Sequence, residues 1–242
     1  MAEFFESLVS QFETAFITHD RWKYIVEGLG NTLILTFFAL LLGVALGVIV
    51  AMVRSSWDKL SPSMNKGPLR TSFGFANWIC KVYLTIIRGT PVVVQIMIIF
   101  FIIMATSRNK MLCGVIAFGI NSGAYLAEII RGGIMALDTG QNEAGRSLGF
   151  NYVQTMRYIV LPQAFKNVLP AMANEFIVLL KETAIVGYVG VTDLTRGANI
   201  IRGATYQGFF PLISVAIIYL LMVLFFTWCV GKLERRLRAS ER

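Results

Sequence analysis

Residues 140–162 read GQNEAGRSLGFNYVQTMRYIVLP, the most polar and turn-rich passage of a chain that is otherwise apolar over long runs. Asp138 followed by Gln141 has the form of a capped helix start, and Gly149 suits the left-handed residue that ends a helix. Between them there is room for about two turns. Asn151 with Gln154 repeats the cap signal and opens a second helix, while Pro162 suits the first turn of a third. A short helix stopped by glycine is a compact knob that fits a cleft on a soluble partner. The same signals describe an ordinary capped connector between two membrane helices. Local signals alone do not separate the two.

Composition sets the class. The 242 residues are 56% hydrophobic and 15% charged, with mean hydropathy +0.65, which indicates a multi-spanning membrane protein. The net charge of +8 does not point to nucleic acid, because the basic residues sit in short loops between apolar runs and form no stripe with interleaved aromatics. Cys80, Cys113 and Cys229 lie far apart in or beside apolar segments and read as small hydrophobes. His19 is the one histidine, so no metal site is expected. Glu3 and Glu6 stand where a cleavable leader carries basic residues, and the first span is expected to insert uncleaved. No phosphate-binding G-x-x-x-x-G-K-[ST] loop, G-x-S-x-G elbow or H-E-x-x-H pair is present, and the chain is not expected to be an enzyme.

Taken in order, residues 1–27 form an extracytoplasmic tail with five acidic and two basic residues. Phe4, Phe5, Leu8, Phe12 and Phe16 recur at helical spacing, which fits an amphipathic helix on the membrane surface; a disordered tail fits equally. Residues 28–242 form the membrane domain. Gly28 to Val53 is uncharged and long enough for a tilted span, with Gly43 and Gly47 as a small-residue face for a neighbouring helix. Arg54 to Lys81 reads as a basic connector, and a second span is expected from Pro91 to Ser107 after Arg88-Gly89-Thr90-Pro91. Met111 to Met135 is a third. On it Asn121, Tyr125, Glu128 and Gly132 share a face, readable either as a wall of a polar pathway or as an interhelical contact. For Glu128 the preferred reading is an ion pair with Arg131 or another helix's arginine. Pro162 to Val191 is too long for one straight span. With a break at Pro170, Lys181, Glu182 and Thr183 fall at mid-depth, with Glu175 and Glu182 on one face; with a start at Pro162 they are interfacial. The first register is preferred. Asp193 to Arg202 reads as a short amphipathic piece before a last uncharged run, 203–231, and a basic tail.

Five spans put the two ends on opposite sides. With the basic connector, the 138–162 loop and the tail in the cytoplasm, that side holds 15 of the 22 Lys and Arg. The N-terminus is then outside and the C-terminus inside.

Glu143-Ala144-Gly145, three residues, Gly149, nine residues, then Ile159-x-Leu161-Pro162 resembles the EAA loop of permease subunits of ABC importers. Gly145 stands where a second alanine is usual. Arg88-Gly89-Thr90-Pro91, the stretch 121–133 (NSGAYLAEIIRGG), 174–183 (NEFIVLLKET) and 193–196 (DLTR) are similar to the polar amino-acid branch of that family. The resemblance implies an all-α membrane protein of type I importer architecture in the cytoplasmic membrane of a prokaryote. It also implies a second permease subunit, identical or homologous, two ATP-binding cassette subunits carrying ATP and Mg, and an extracytoplasmic amino-acid receptor. The expected docking residues are Gln141, Glu143, Ala144, Gly145, Arg146, Leu148 and Gly149. The candidate substrate path, read from the polar and ionisable residues of the third and fourth spans, draws on Asn121, Ser122, Tyr125, Glu128, Glu175, Lys181, Glu182 and Thr183. The contrasting reading, a self-sufficient secondary transporter or channel, has the charged triplet in its favour and leaves the docking loop without a purpose.

Overall fold

The computed structural model describes residues 1–138 and 140–239, without the side chains of Ala2, Phe4, Asn142, Arg238 and Ala239. Thr139 of the 138–162 loop and residues 240–242 of the basic tail therefore lie outside the described residues, as does the Phe4 side chain of the N-terminal apolar stripe. Every described element is helical.

α1 (Ala2–Phe12) continues through a π turn at Glu13–Ile17 and ends at His19 and Asp20, both left-handed with φ of 58° and 55°. The exposed Asp20 carboxylate is held below its usual pKa by a 2.7 Å hydrogen bond from Lys23 and by that cation's charge. α2 (Trp22–Leu60) is a single 39-residue helix. After a turn, α3 (Pro68–Gly89) begins with proline in its first turn and stops at extended Thr90 and Pro91. α4 (Val92–Ile98) then continues as a π turn to Ile103, bent by 111° from α3. α5 (Lys110–Met135) is capped by the Asn109 side chain on the Leu112 N–H. α6 (Gly140–Ser147) and α7 (Tyr152–Thr155) are short. α7 passes through a π turn at 156–160 into α8 (Leu161–Glu182), which tightens to a 3-10 segment at Thr183–Val189 and ends at left-handed Gly190. α9 (Leu194–Thr205) and α10 (Phe209–Ala239) complete the chain.

α2 and α5 are the centre of the structure. They run parallel: Leu35 packs at Gly114, Gly43 at Ser122 and Gly123, and Gly47 at Leu126. A methyl group on Gly47 would lie 2.8 Å from the Leu126 Cβ, so the two backbones approach only because the residue is glycine. α8 runs antiparallel to α5, with Val168 at Gly133 and Glu175 at Ser122. Phe118, Leu35, Leu179 and Val186 form the largest buried cluster between these helices and α4. α10 is the most peripheral span, with Ile217, Leu221, Leu224 and Trp228 exposed.

Three of the sequence expectations need correction. The 54–81 connector is mostly helix: α2 extends to Leu60 and α3 fills 68–89, because the apolar face of α3 packs back on α2 through Arg54–Asn77 and Trp57–Phe73. The stretch expected as a straight second span is therefore the second arm of a helix pair bent by 111° at Thr90–Pro91. Pro162 stands in the first turn of α8, as expected, but Pro170 lies inside that helix without breaking it, and the π turn at 156–160 joins α8 to α7 as one rod. In consequence Glu175, level with Ser122 and Gly43, lies near the centre of the uncharged run, and Lys181-Glu182-Thr183 stands about 10 Å farther along the helix.

α9 is seated by Asp193, which is fully buried. Its carboxylate accepts from the Thr195 and Arg196 N–H groups, while the Leu194 N–H reaches Thr32 Oγ1 of α2. Burial raises the Asp193 pKa, against the lowering effect of those backbone hydrogen bonds. Asp193→Ala removes the cap and is expected to cost about 1–2 kcal/mol, whereas Asp193→Asn keeps an acceptor and costs less. Thermal unfolding of the detergent-solubilised variants checks the order.

Candidate functional site: the α6 knob and the polar groups of the bent span

α6 is built as its sequence suggested. The Gly140 N–H donates to Asp138 Oδ1 at 2.8 Å, and at the other end Phe150 N–H reaches Gly145 O and Gly149 N–H reaches Arg146 O. That pair of bonds around Gly149, with φ of 83°, is a Schellman closure. Asn151 and Gln154 then form a reciprocal capping box. α6 is held to the rod behind it by Gln163 Nε2 donating to Gln141 Oε1 at 2.9 Å. Gly145 is buried against Thr155 and Ile159: a Cβ there would meet Thr155 Cγ2 and Oγ1 at 2.7 Å. The departure from the alanine pattern is thus matched by a β-branched residue opposite. Glu143, Ala144, Arg146 and Leu148 stay exposed, Leu148 by 70%. The result is a rigid, doubly capped knob with one acidic, one basic and one large apolar side chain on its free surface.

The break between α3 and α4 leaves carbonyl groups without helix partners, and each must find another donor. Gln95 solves this. Its Nε2 donates to Ile87 O at 2.7 Å, Thr90 O at 3.0 Å and Thr90 Oγ1 at 2.8 Å. Thr90 Oγ1 in turn donates to Ile86 O, and Gln95 Oε1 accepts from Asn121 Nδ2 at 2.9 Å. Asn121 is therefore committed to holding the bent span. Gln95 was overlooked in the sequence, although it is the lone amide in the apolar run 92–103.

Other polar residues fall into two further groups. Ser122 Oγ donates to Glu175 Oε1 at 3.0 Å, joining α5 to α8. Arg88 lies 3.6 Å from Glu128 and 5.8 Å from the centre of the Tyr125 ring, and Glu128 is also 3.8 Å from Arg131, which reaches Asp58 at 3.4 Å. Arg88, Gly89, Tyr125 and Glu128 line one cavity with Arg54, Lys81, Leu84 and Thr85. Thr183 Oγ1 is bonded to Leu180 O within its own helix, and Lys181 is exposed. The structure thus pairs Ser122 with Glu175 and gathers Tyr125 and Glu128 around Arg88; of the Lys181 triplet only Glu182 comes near either group, close enough to Glu175 for the two charges to interact. Among the described residues no cluster of His, Cys, Asp and Glu could hold a metal ion.

Gln95→Leu strands Ile87 O, Thr90 O and the Asn121 amide, and is expected to destabilise the solubilised chain by about 2–4 kcal/mol. Gly145→Ala is expected to cost about 1–3 kcal/mol, and most of that cost to vanish in Gly145→Ala/Thr155→Ala. Unfolding midpoints of the four chains in that second cycle decide it.

The comparisons with known proteins agree with this architecture. Residues 67–239 match the family described as "Binding-protein-dependent transport system inner membrane component". The arginine transport system permease ArtQ of Bacillus subtilis is 37% identical over 93% of this chain and 97% of that protein. The glutamine permease GlnP of Escherichia coli is 31% identical over 88% and 93%. Among solved structures, one titled an amino acid ABC transporter with histidines superposes with a TM-score of 0.78 at 42% identity, covering 91% of this chain and 98% of that one. The methionine transporter MetNI shares the fold, with a TM-score of 0.72 at 19% identity over 88% and 95%. The chain belongs to the binding-protein-dependent inner membrane components of ABC transporters, in their amino-acid permease group.

Proposed function

We propose that the chain is the membrane-spanning subunit of an ATP-driven importer of a polar amino acid. It pairs with a second permease subunit, identical or homologous. Five spans are formed by α2, by α3 with α4, by α5, by the α7–α8 rod and by α10. Their charge distribution supports an external N-terminus and a cytoplasmic C-terminus in a bacterial inner membrane. Lys232, 4.1 Å above the Trp228 ring at the end of α10, fits an interfacial anchor on the cytoplasmic side. ATP and Mg bind to two partner ATPases, and an external receptor delivers the amino acid.

The observation that carries this reading is α6. A helix of eight residues, closed at both ends by hydrogen bonds and seated on the α7–α8 rod, keeps its shape when pushed. Closure of the ATPase dimer around ATP would move it as a unit and tilt the rod. In the same reading Ser122 and Glu175 at mid-depth supply an acceptor for a substrate ammonium group, with Tyr125 and Glu182 as further contacts. The names of the relatives favour an arginine-, glutamine- or histidine-like side chain.

A mild-detergent pull-down of the tagged chain from its native membrane tests the docking. The wild type is expected to bring down a stoichiometric ATPase, and Glu143→Arg to lose most of it. An intact wild-type chain that carries no ATPase would sink the importer reading, and gradient-driven flux by the chain alone in sealed liposomes would replace it with a secondary transporter.

A further inference from the structure

The cavity between the distal halves of α2, α3 and α5 measures about 680 Å³ and carries an unbalanced charge. Arg54, Lys81 and Arg88 line it, and among the described lining residues Glu128 is the one acid. Glu128 is already shared between Arg88 and Arg131. Arg54 spends one Nη1 proton on the neutral Asn77 carbonyl at 2.8 Å, and its buried Nε has no protein partner among the described residues. Lys81 is exposed and engages no acid among the described residues. The cavity therefore has a surplus of cationic donors, which an anion would neutralise.

Its position narrows the kind of anion. Arg54 directly follows the uncharged run 28–53, so the cavity opens at the depth where a span leaves the hydrocarbon. Lys81, Thr85 and Arg88 recur along one face of α3 at helical spacing. The adjoining face exposes Phe75, Trp78, Ile79 and Ile86, each by about half or more. One side of the helix thus offers cations and a hydroxyl, and the other offers a continuous apolar track running along the span. A soluble anion uses only the first. An amphiphile uses both, with a phosphate at Lys81 and Arg88 and a chain along Trp78 and Ile86.

We infer that this cavity is a binding site for the headgroup of an anionic phospholipid, which wedges beside the bent second span. The site braces α3 at the point where the Thr90–Pro91 break has cost it a straight path. The inference rests on the membrane-spanning character of the chain and is independent of the importer reading.

The full chain, purified in mild detergent with any subunits that accompany it and then delipidated, is titrated with phosphatidylglycerol and with phosphatidylcholine, and bound lipid is counted by native mass spectrometry. One phosphatidylglycerol per chain is expected to bind in preference to phosphatidylcholine. Lys81→Gln/Arg88→Gln is expected to weaken it roughly tenfold or more, at about a factor of five per cation. Lys81→Arg/Arg88→Lys keeps both charges and is expected to retain it, which separates loss of the site from loss of the fold. Lys66→Gln/Lys232→Gln removes the same charge elsewhere and is expected to change little. Equal loss in that control, or unchanged binding in Lys81→Gln/Arg88→Gln, overturns the site. Water-soluble glycerophosphoglycerol binding as tightly as the lipid would make this a soluble-anion site and overturn the lipid assignment. Crosslinking of Lys81→Cys to another protein chain would show the face covered by a subunit and overturn it too. No arm depends on transport or ATP hydrolysis, so a failed importer reading leaves the outcome interpretable.

Discussion

A backbone carbonyl that leaves a helix must find another donor, and in this chain that constraint falls hardest on the turn at Thr90–Pro91. Four acceptors there are satisfied by one glutamine and one threonine, and the glutamine is itself held by Asn121. Much of the surrounding architecture follows. With the bend closed internally, α3 packs beside the distal halves of α2 and α5, where Leu84 meets Val50 and Ala124 and Tyr83 donates to Ile120 O. α4 can then turn back to place Ile96, Ile99 and Phe100 in the main buried cluster. The cationic cavity lies beside the end of α3, with Arg88 and Gly89 in its lining just before the break.

The helices that receive this bent span are held by close approach more than by apolar bulk. Lipid chains are as apolar as leucine, so burying a side chain between helices gains little over leaving it in the bilayer, and packing contacts decide instead. That accounts for glycine at 43 and 47 on α2 facing Ser122, Gly123 and Leu126 on α5. It also accounts for the contrast between α5, mostly buried among α2, α3, α4 and α8, and α10, whose leucines and phenylalanines face outward. Both are apolar; α5 is much the richer in the small residues that let neighbours in.

The parts of this structure that were legible in the sequence are those whose determinants are local. The caps at Asp138, Gly149 and Asn151 lie within a few residues of the groups they satisfy, and they stand where the sequence put them. The spans of α2 and α5 were legible from uncharged length. Proline was the poorest guide. Pro91, Pro162 and Pro170 carry the same local signal, yet only the first interrupts a helix. What distinguishes it is a set of partners supplied by Gln95 and, from another helix, Asn121, a pairing 26 residues apart that no local pattern displays. The register of α8 was misjudged for the same reason, since it was built on a break that did not occur. Gly145 looked like a defect in a pattern until Thr155 was seen opposite it. The candidate transport residues were found as a list but not as groups, because grouping requires knowing which face of α5 meets which neighbour.

Asn121 and Ser122 show why that grouping matters. They are consecutive, so their side chains leave α5 about 100° apart. One is bonded to the bent span through Gln95, and the other to the α7–α8 rod through Glu175. α5 is thereby tied on two sides by neighbouring residues at a single level of the membrane. The rod carries α6 at its base through Gln141–Gln163 and the Gly145–Thr155 contact. A contiguous chain of contacts therefore runs from the exposed knob, up the rod, through α5 and into the break at Thr90–Pro91. Contact alone is not coupling; coupling needs an element with two arrangements that both ends bias. Along this route the packed joints, glycine against threonine and glycine against valine, resist displacement. The Ser122–Glu175 bond is different, since it joins two helices through single rotatable side chains with a carboxylate able to accept another donor. If motion of α6 is converted into a change in a substrate path, that bond is the joint where it can be exchanged for a bond to the substrate.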